Sequence, residues 1–184
     1  ILGSSFETAA ATATGQTGGV IYTEYLTRLS ASFFRAVNIS ALVIQFLLVS
    51  RIIRFLGVGI GLMILPAIAV GGYGLIALFP VLPVIRMVKI AENSTDYSLQ
   101  NTVRNILFLP TTREQKYKGK QVVDSFFVRV GDAMQAVVVF VGTSVLAASL
   151  ASFAAFNAII AIVWMILAFM IGKKYRQRVA TNEP

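Results

Sequence analysis

The residues able to do chemistry in this chain are charged and amide side chains set within apolar stretches. Arg86, Lys89, Asn93, Asp96, Tyr97, Gln100 and Arg104 fall within an arc of about 100° when about 100° is allowed per helical residue, and Glu92 sits at its margin. Upstream, Glu24, Arg28, Arg35, Asn38 and Gln45 share a similar arc. Downstream, Asp124, Arg129, Asp132 and Gln135 follow a basic segment. Counting about 1.5 Å of rise per residue from each expected helix end brings Arg35 and Asn38, Glu92 and Asn93, and Asp132 and Gln135 to one level. Polar groups converging from three helices are expected to bind a solute, with Arg86, Lys89 and Arg104 supplying positive charge. Glu92, Asp96, Asp124 and Asp132 are then available to carry a coupling proton. A merely structural arrangement would instead pair Arg35 with Glu92 or Asp132 to neutralise buried charge.

Enzyme chemistry is poorly served. The 184 residues contain no Cys and no His, which removes disulfides, thiolate and imidazole metal sites, and the side chain most used to move protons near neutral pH. HExxH, Walker-type and GxSxG patterns are missing from the sequence. No catalytic residue, metal or cofactor is expected. The Asp124 and Asp132 pair could serve acid–base work, but transport requires fewer assumptions.

The elements that must position these residues are membrane helices. The chain is 57% hydrophobic and 13% charged, with a mean hydropathy of +0.77, more apolar surface than a soluble domain of this size can bury. No charge occurs from Phe55 to Ile85 or from Ala133 to Gly172, and both runs exceed the roughly 20 residues needed to cross a bilayer. The net charge of +8 gathers beside the apolar runs, at Arg51 and Arg54, Arg113 to Lys120, and Lys173 to Arg178, as in cytoplasmic loops. A membrane surface accounts for this charge, so nucleic acid is not expected as a partner.

The fold expected is an all-α, polytopic transmembrane bundle of about five crossings, at about 29–49, 57–78, 84–104, 124–150 and 153–172. Residues 1–28 are expected to form a surface loop, rich in Ser, Thr, Ala and Gly without an apolar period, and residues 173–184 a cytoplasmic tail. Pro66 should kink the second crossing, and the Gly57/Gly61 spacing would permit close helix contact. The 40 uncharged residues from 133 to 172 would span about 60 Å as one helix, twice the hydrocarbon thickness, so a turn is expected near Ser149 to Ser152. The stripe on the third crossing cannot face lipid, where one charge costs several kcal/mol, so it lines a protein interior or a watery cavity. An amphipathic helix lying flat would put the basic segments around Arg51 and Lys118 on opposite sides. A crossing puts both, and the basic C-terminus, on one side. The chain opens Ile1-Leu2-Gly3 with neither initiator Met nor signal sequence and is expected to be a fragment that has lost its beginning.

From Tyr97-Ser98-Leu99 through Phe108-Leu109-Pro110, Lys116, Lys118-Gly119-Lys120 and Asp124 to Arg129-Val130-Gly131, the sequence resembles the ATP/ADP translocase family of intracellular bacteria and plastids. The resemblance implies a major-facilitator-like fold of twelve helices, of which this chain would be the C-terminal half, helices eight to twelve. It implies exchange of ATP for ADP, or proton-driven nucleotide import, by alternating access against an N-terminal six-helix half. On that reading the substrate is a small anion such as a nucleotide, whose oxygens suit charge-assisted hydrogen bonds from Arg and Lys. The basic positions nearest a phosphate pathway would be Arg104, Lys116, Lys118, Lys120 and Arg129. Gln100-Asn101, Arg104-Asn105 and Asp132 depart from the family's usual Phe-Asp, Lys-Glu and lysine.

The expected protein is therefore an integral membrane transporter with its C-terminus in the cytoplasm, located in a bacterial inner membrane, and embedded in lipid beside its N-terminal half. Two alternatives suit the same residues: a major-facilitator-type transporter of another solute, and a non-transporting membrane sensor or scaffold.

Overall fold

A computed structural model of the chain describes residues 1–145 and 149–182. Among the described residues the secondary structure is entirely helical. The α-helices are α1 Leu2–Thr14, α2 Val20–Val43, α3 Ser50–Leu78, α4 Leu82–Thr95, α5 Asn101–Leu107, α6 Arg113–Gln121, α7 Val128–Phe140 and α8 Leu150–Asn182. Wider π-helical turns at Ile44–Val49, Asp96–Gln100 and Val122–Phe127 fuse α2 to α3, α4 to α5 and α6 to α7, and a fourth at Val141–Val145 extends α7. Three stretches are long and apolar enough to cross a membrane: Val20–Leu78, Lys116–Ser144 and Leu150–Thr181. The chain is an all-α membrane protein.

The first of those stretches is two passes rather than one. Within α3 the helix breaks at Gly57, whose φ of 80° and ψ of 166° are open to glycine and costly for other residues. A Cβ on Gly61 would lie 3.9 Å from Ile52 Cγ2, whereas a straight helix would separate these residues by about 13 Å; the chain therefore doubles back. Arg51 and Arg54, which fall between the crossings expected at 29–49 and 57–78, lie within continuous helix. Charge fixes where a helix meets the headgroups, but only a backbone break ends it. Pro66 stays inside α3, whose only non-helical residue is Gly57. The Gly57/Gly61 pair does not act as a packing motif: Gly57 is the hinge, and Gly61 meets Val103.

Residues 2–14, expected as loop, form a helix. Its Thr8, Thr12 and Thr14 hydroxyls bond the carbonyls four residues back at 2.7–2.9 Å, and Phe6 docks edge-on against Phe33 with ring centres 6.0 Å apart. Phe6 and Ala10 are buried and Leu2 packs beside Phe33 and Val37, so one side of this helix docks on the bundle although the segment is mostly small and polar. Gly15, in a left-handed conformation (φ 69°), terminates it.

In lipid there is little hydrophobic gain from pairing helices, so close van der Waals fit must hold them. α8 packs along α3, and their backbones touch where Gly172 meets Gly59; a Cβ on Gly172 would stand 3.0 Å from Gly59 Cα. A Cβ on Gly72 would run into Val88 Cγ1, so α3 and α4 also meet through a glycine. Near one end of the bundle Ala69, Tyr73, Ile76, Ile85, Val88, Ala154 and Ala161 form a core. Near the other, Val49, Leu62, Leu99, Val103 and Ala168 form a second. These contacts gather the Gly57 turn with Arg51 and Arg54, the end of α5 before the basic segment, and the basic end of α8 at one end of the bundle, as expected for crossing helices.

The helix from Arg113 to Val145 behaves differently: among the described residues it approaches its neighbours near its ends, through Lys120 to Asn105, Gly119 to Phe108 and Gly142 to Phe153, and no residue of α7 is buried. The expected turn near Ser149 to Ser152 is described from Ser149 onward, where the Ser149 hydroxyl accepts the Ser152 backbone N–H at 3.2 Å and caps α8. Residues 146–148 lie outside the described residues, as do the last two of the expected tail; up to Asn182 that tail continues α8.

Candidate functional site

The charges of α4 meet a partner that lies within a long uncharged run. Tyr73, on α3 and 8% exposed, points its hydroxyl between Lys89 and Glu92, three residues apart on α4. Lys89 Nζ donates to Tyr73 Oη at 2.6 Å and to Glu92 Oε2 at 2.7 Å. Tyr73 Oη in turn donates to Glu92 Oε1 at 3.1 Å. The Lys89 and Glu92 side chains are each 19% exposed. In so dry a position either charge alone is costly, and the closed triangle of ammonium, phenol and carboxylate removes that cost for both.

One turn earlier, Arg86 Nη2 donates to Ser32 Oγ on α2 at 3.0 Å, so α4 is tied through polar side chains to both α2 and α3. Asn93 is half-buried and its Nδ2 donates to the Lys89 carbonyl at 2.9 Å, steadying the helix at the triad. Beyond it the helix widens into the π-turn. There Asp96 stands 3.9 Å from Arg104, a pair close to half-exposed on both sides and of little weight for stability. Gln100 is buried at 5% exposure, and its Oε1 has no partner among the described residues. Turns of this kind interrupt the regular backbone pairing and recur at functional positions.

The remaining residues of the expected site do not join this cluster. Arg35 and Asn38 are exposed on the face of α2 opposite the buried Phe33 and Val37. Arg35 pairs with neither Glu92 nor Asp132, because Glu92 is held by Lys89 and Tyr73. Asp124, Arg129, Asp132 and Gln135 are all exposed on the helix that stands apart, with Asp132, Gln135 and Thr143 lining an open hollow. Counting residues along each helix gives no packing partners. Tyr73 and Ser32 were not singled out from the sequence. Tyr73 had a readable signal, since a phenol in an apolar membrane run must find a hydrogen-bond partner; Ser32 had none.

Lys89 and Arg86 present two cations one turn apart, and Glu92 is the acid that neutralises the first. Lys89 and Glu92 form with Tyr73 a triangle that spans two helices.

No curated protein and no solved structure matches the chain. The family profile described as TLC ATP/ADP transporter matches residues 14–175, which takes in every residue of the triad, the Arg86–Ser32 link and the exposed polar faces of α2 and α7. The polar stripe, the basic segments gathered at one end and this match across most of the sequence agree, and the chain belongs to the TLC ATP/ADP transporter family.

Proposed function

We propose that this chain forms one half of a secondary transporter that moves ATP and ADP, or closely related nucleotides, across a membrane by alternating access. The observation that carries the reading is the Tyr73–Lys89–Glu92 triangle in a chain of the TLC ATP/ADP transporter family. A nucleotide phosphate and Glu92 compete for Lys89. Phosphate drawn to Lys89 and Arg86 displaces the carboxylate, and protonation of Glu92 frees the ammonium for phosphate. Tyr73 bridges both groups, so the exchange of partners pulls on α3 as well as α4, the kind of differential contact that lets a ligand shift a two-state equilibrium.

The exposed polar faces of α2 and of the Arg113–Val145 helix support a second six-helix half as the opposite wall of the pathway. Arg35, Asn38, Arg129, Asp132 and Gln135 would then face substrate or water rather than lipid, where they are costly. The gathering of Arg51, Arg54, Lys118 and Lys173 at one end supports a cytoplasmic C-terminus, here in a bacterial inner membrane. The chain transports and does not catalyse.

Counterflow of labelled nucleotide in liposomes tests this reading. Lys89→Gln is expected to lower ATP/ADP exchange at least about tenfold, the effect of one lost charge-assisted contact. Glu92→Gln is expected to retain nucleotide binding while exchange loses its response to a pH gradient. If the unaltered protein carries no nucleotide, the substrate is another solute and the proposal fails.

A further inference from the structure

Between α2 and α4 the chain packs a small apolar core, in which Phe33 and Val37 are buried with Leu29, Leu82 and Ile90 against them. Ser32 precedes Phe33 on α2 and is half-buried. Its hydroxyl hydrogen is already committed, donating to the Leu29 carbonyl at 2.8 Å. Toward α4 the oxygen can therefore only accept, and it accepts from Arg86 Nη2 at 3.0 Å. That contact uses one N–H of the guanidinium. Among the described residues no carboxylate pairs with Arg86, and the rest of its fork of donors has no acceptor.

Charge makes Arg86 the open member of the cluster. Arg86 and Lys89 bring two positive charges and Glu92 one negative, and the carboxylate is held by Lys89 at 2.7 Å. The positive charge left over sits on Arg86, half-buried, where a cation is costly without an anion beside it. A guanidinium takes two oxygens of one ligand best when its plane is fixed beforehand, because a freely turning side chain loses rotamer entropy on binding. Ser32 supplies that fixation from the neighbouring helix. We infer that Ser32 is a positioning residue, which holds the Arg86 guanidinium by one arm so that its open side takes two oxygens of an anionic ligand together. The inference rests on the anion-transport reading above and names the first contact of that site. Arg86 is already aimed, whereas Lys89 must first leave Glu92.

The test uses the full-length protein in phosphatidylcholine nanodiscs with inorganic pyrophosphate as the probe, its affinity read from the way the unfolding midpoint rises with probe concentration. Ser32→Ala is expected to weaken pyrophosphate about fivefold. Ser32→Thr, which keeps the hydroxyl, changes it less than about twofold, and Ser32→Ala adds nothing in an Arg86→Gln background. A purely structural Ser32 would lower the midpoint without probe and leave the affinity alone, or would act equally with and without Arg86; either result overturns the inference. No binding, or binding that ignores both residues, overturns it too. Nucleotide counterflow in liposomes, run beside the titration, keeps the two readings separable. Ser32-dependent pyrophosphate binding by a protein that exchanges no nucleotide sinks the transport reading alone, and nucleotide exchange beside binding insensitive to Ser32 sinks the positioning role alone.

Discussion

α4 and α7 carry the same sequence signature, charged and amide residues inside an apolar helix, yet the fold treats them in opposite ways. On α4 the polar side chains turn to neighbouring helices and satisfy one another: Lys89 with Glu92 and Tyr73, Arg86 with Ser32. On α7, Arg129, Asp132 and Gln135 have no hydrogen-bond or ion-pair partner among the described residues, and every residue of the helix is exposed. A polar residue in a membrane helix is thus either a fastener within the bundle or a face awaiting something outside it. Burial of its neighbours, more than its own charge, tells which.

The sharpest way to break this contrast is to remove one charge from each helix. Lys89→Ala leaves Glu92 without its cation and is expected to cost about 2–3 kcal/mol, a little below the range for fully buried pairs, read as a fall in the unfolding midpoint in detergent. Arg129→Gln and Asp132→Asn should change the same midpoint by no more than about 0.5 kcal/mol. Equal losses on both helices would mean that α7 is packed after all.

The glycines offer a second comparison of smaller effect. Gly72→Ala drives a methyl group into Val88 and should cost about 1–2 kcal/mol as α3 and α4 move apart. Gly131→Ala on α7 meets nothing within 4 Å and should stabilise by about 0.5 kcal/mol through helix propensity. Tyr73→Phe keeps the ring and removes the bridging hydroxyl, for about 1 kcal/mol. Combined with Glu92→Gln it should show a coupling of at least about 0.5 kcal/mol in a double-mutant cycle; strict additivity would mean that the triangle is not a unit.

Much of the architecture was legible because the bilayer imposes a length on apolar runs, and the charge-free stretches before Ile85 and Gly172 announce it directly. The stripe that runs from α4 through the π-turn into α5 was legible for a related reason, since seven polar residues on one arc leave few ways to be buried. What escaped was set by packing and by the backbone. Charges do not end helices, so Arg51 and Arg54 misled where Gly57, by its φ, decided. The Ala- and Thr-rich opening gave no period, and the packing of Leu2, Phe6 and Ala10 on the bundle goes with its being a helix. The site was readable on α4 alone. Arg35 is exposed on the side of α2 away from Phe33 and Val37, and Asp132 lies on a helix with no buried residue, so neither meets Glu92; which face of a helix is buried is set by its packing partners, which a list of polar residues does not give.

Outward polar residues that face a nucleotide pathway must be in contact with water, and the lack of native cysteine in these 184 residues makes that directly measurable. Single cysteines at Tyr97, Gln135 and Ile166, each exposed in the fold, can be treated in membranes with a thiol reagent that does not cross lipid. Cysteines at Tyr97 and Gln135 are expected to react and to be slowed by ATP, and the one at Ile166 on α8 to stay unmodified. Tyr97 and Gln135 positions as inert as Ile166, or reactive at the same rate with and without ATP, would contradict it.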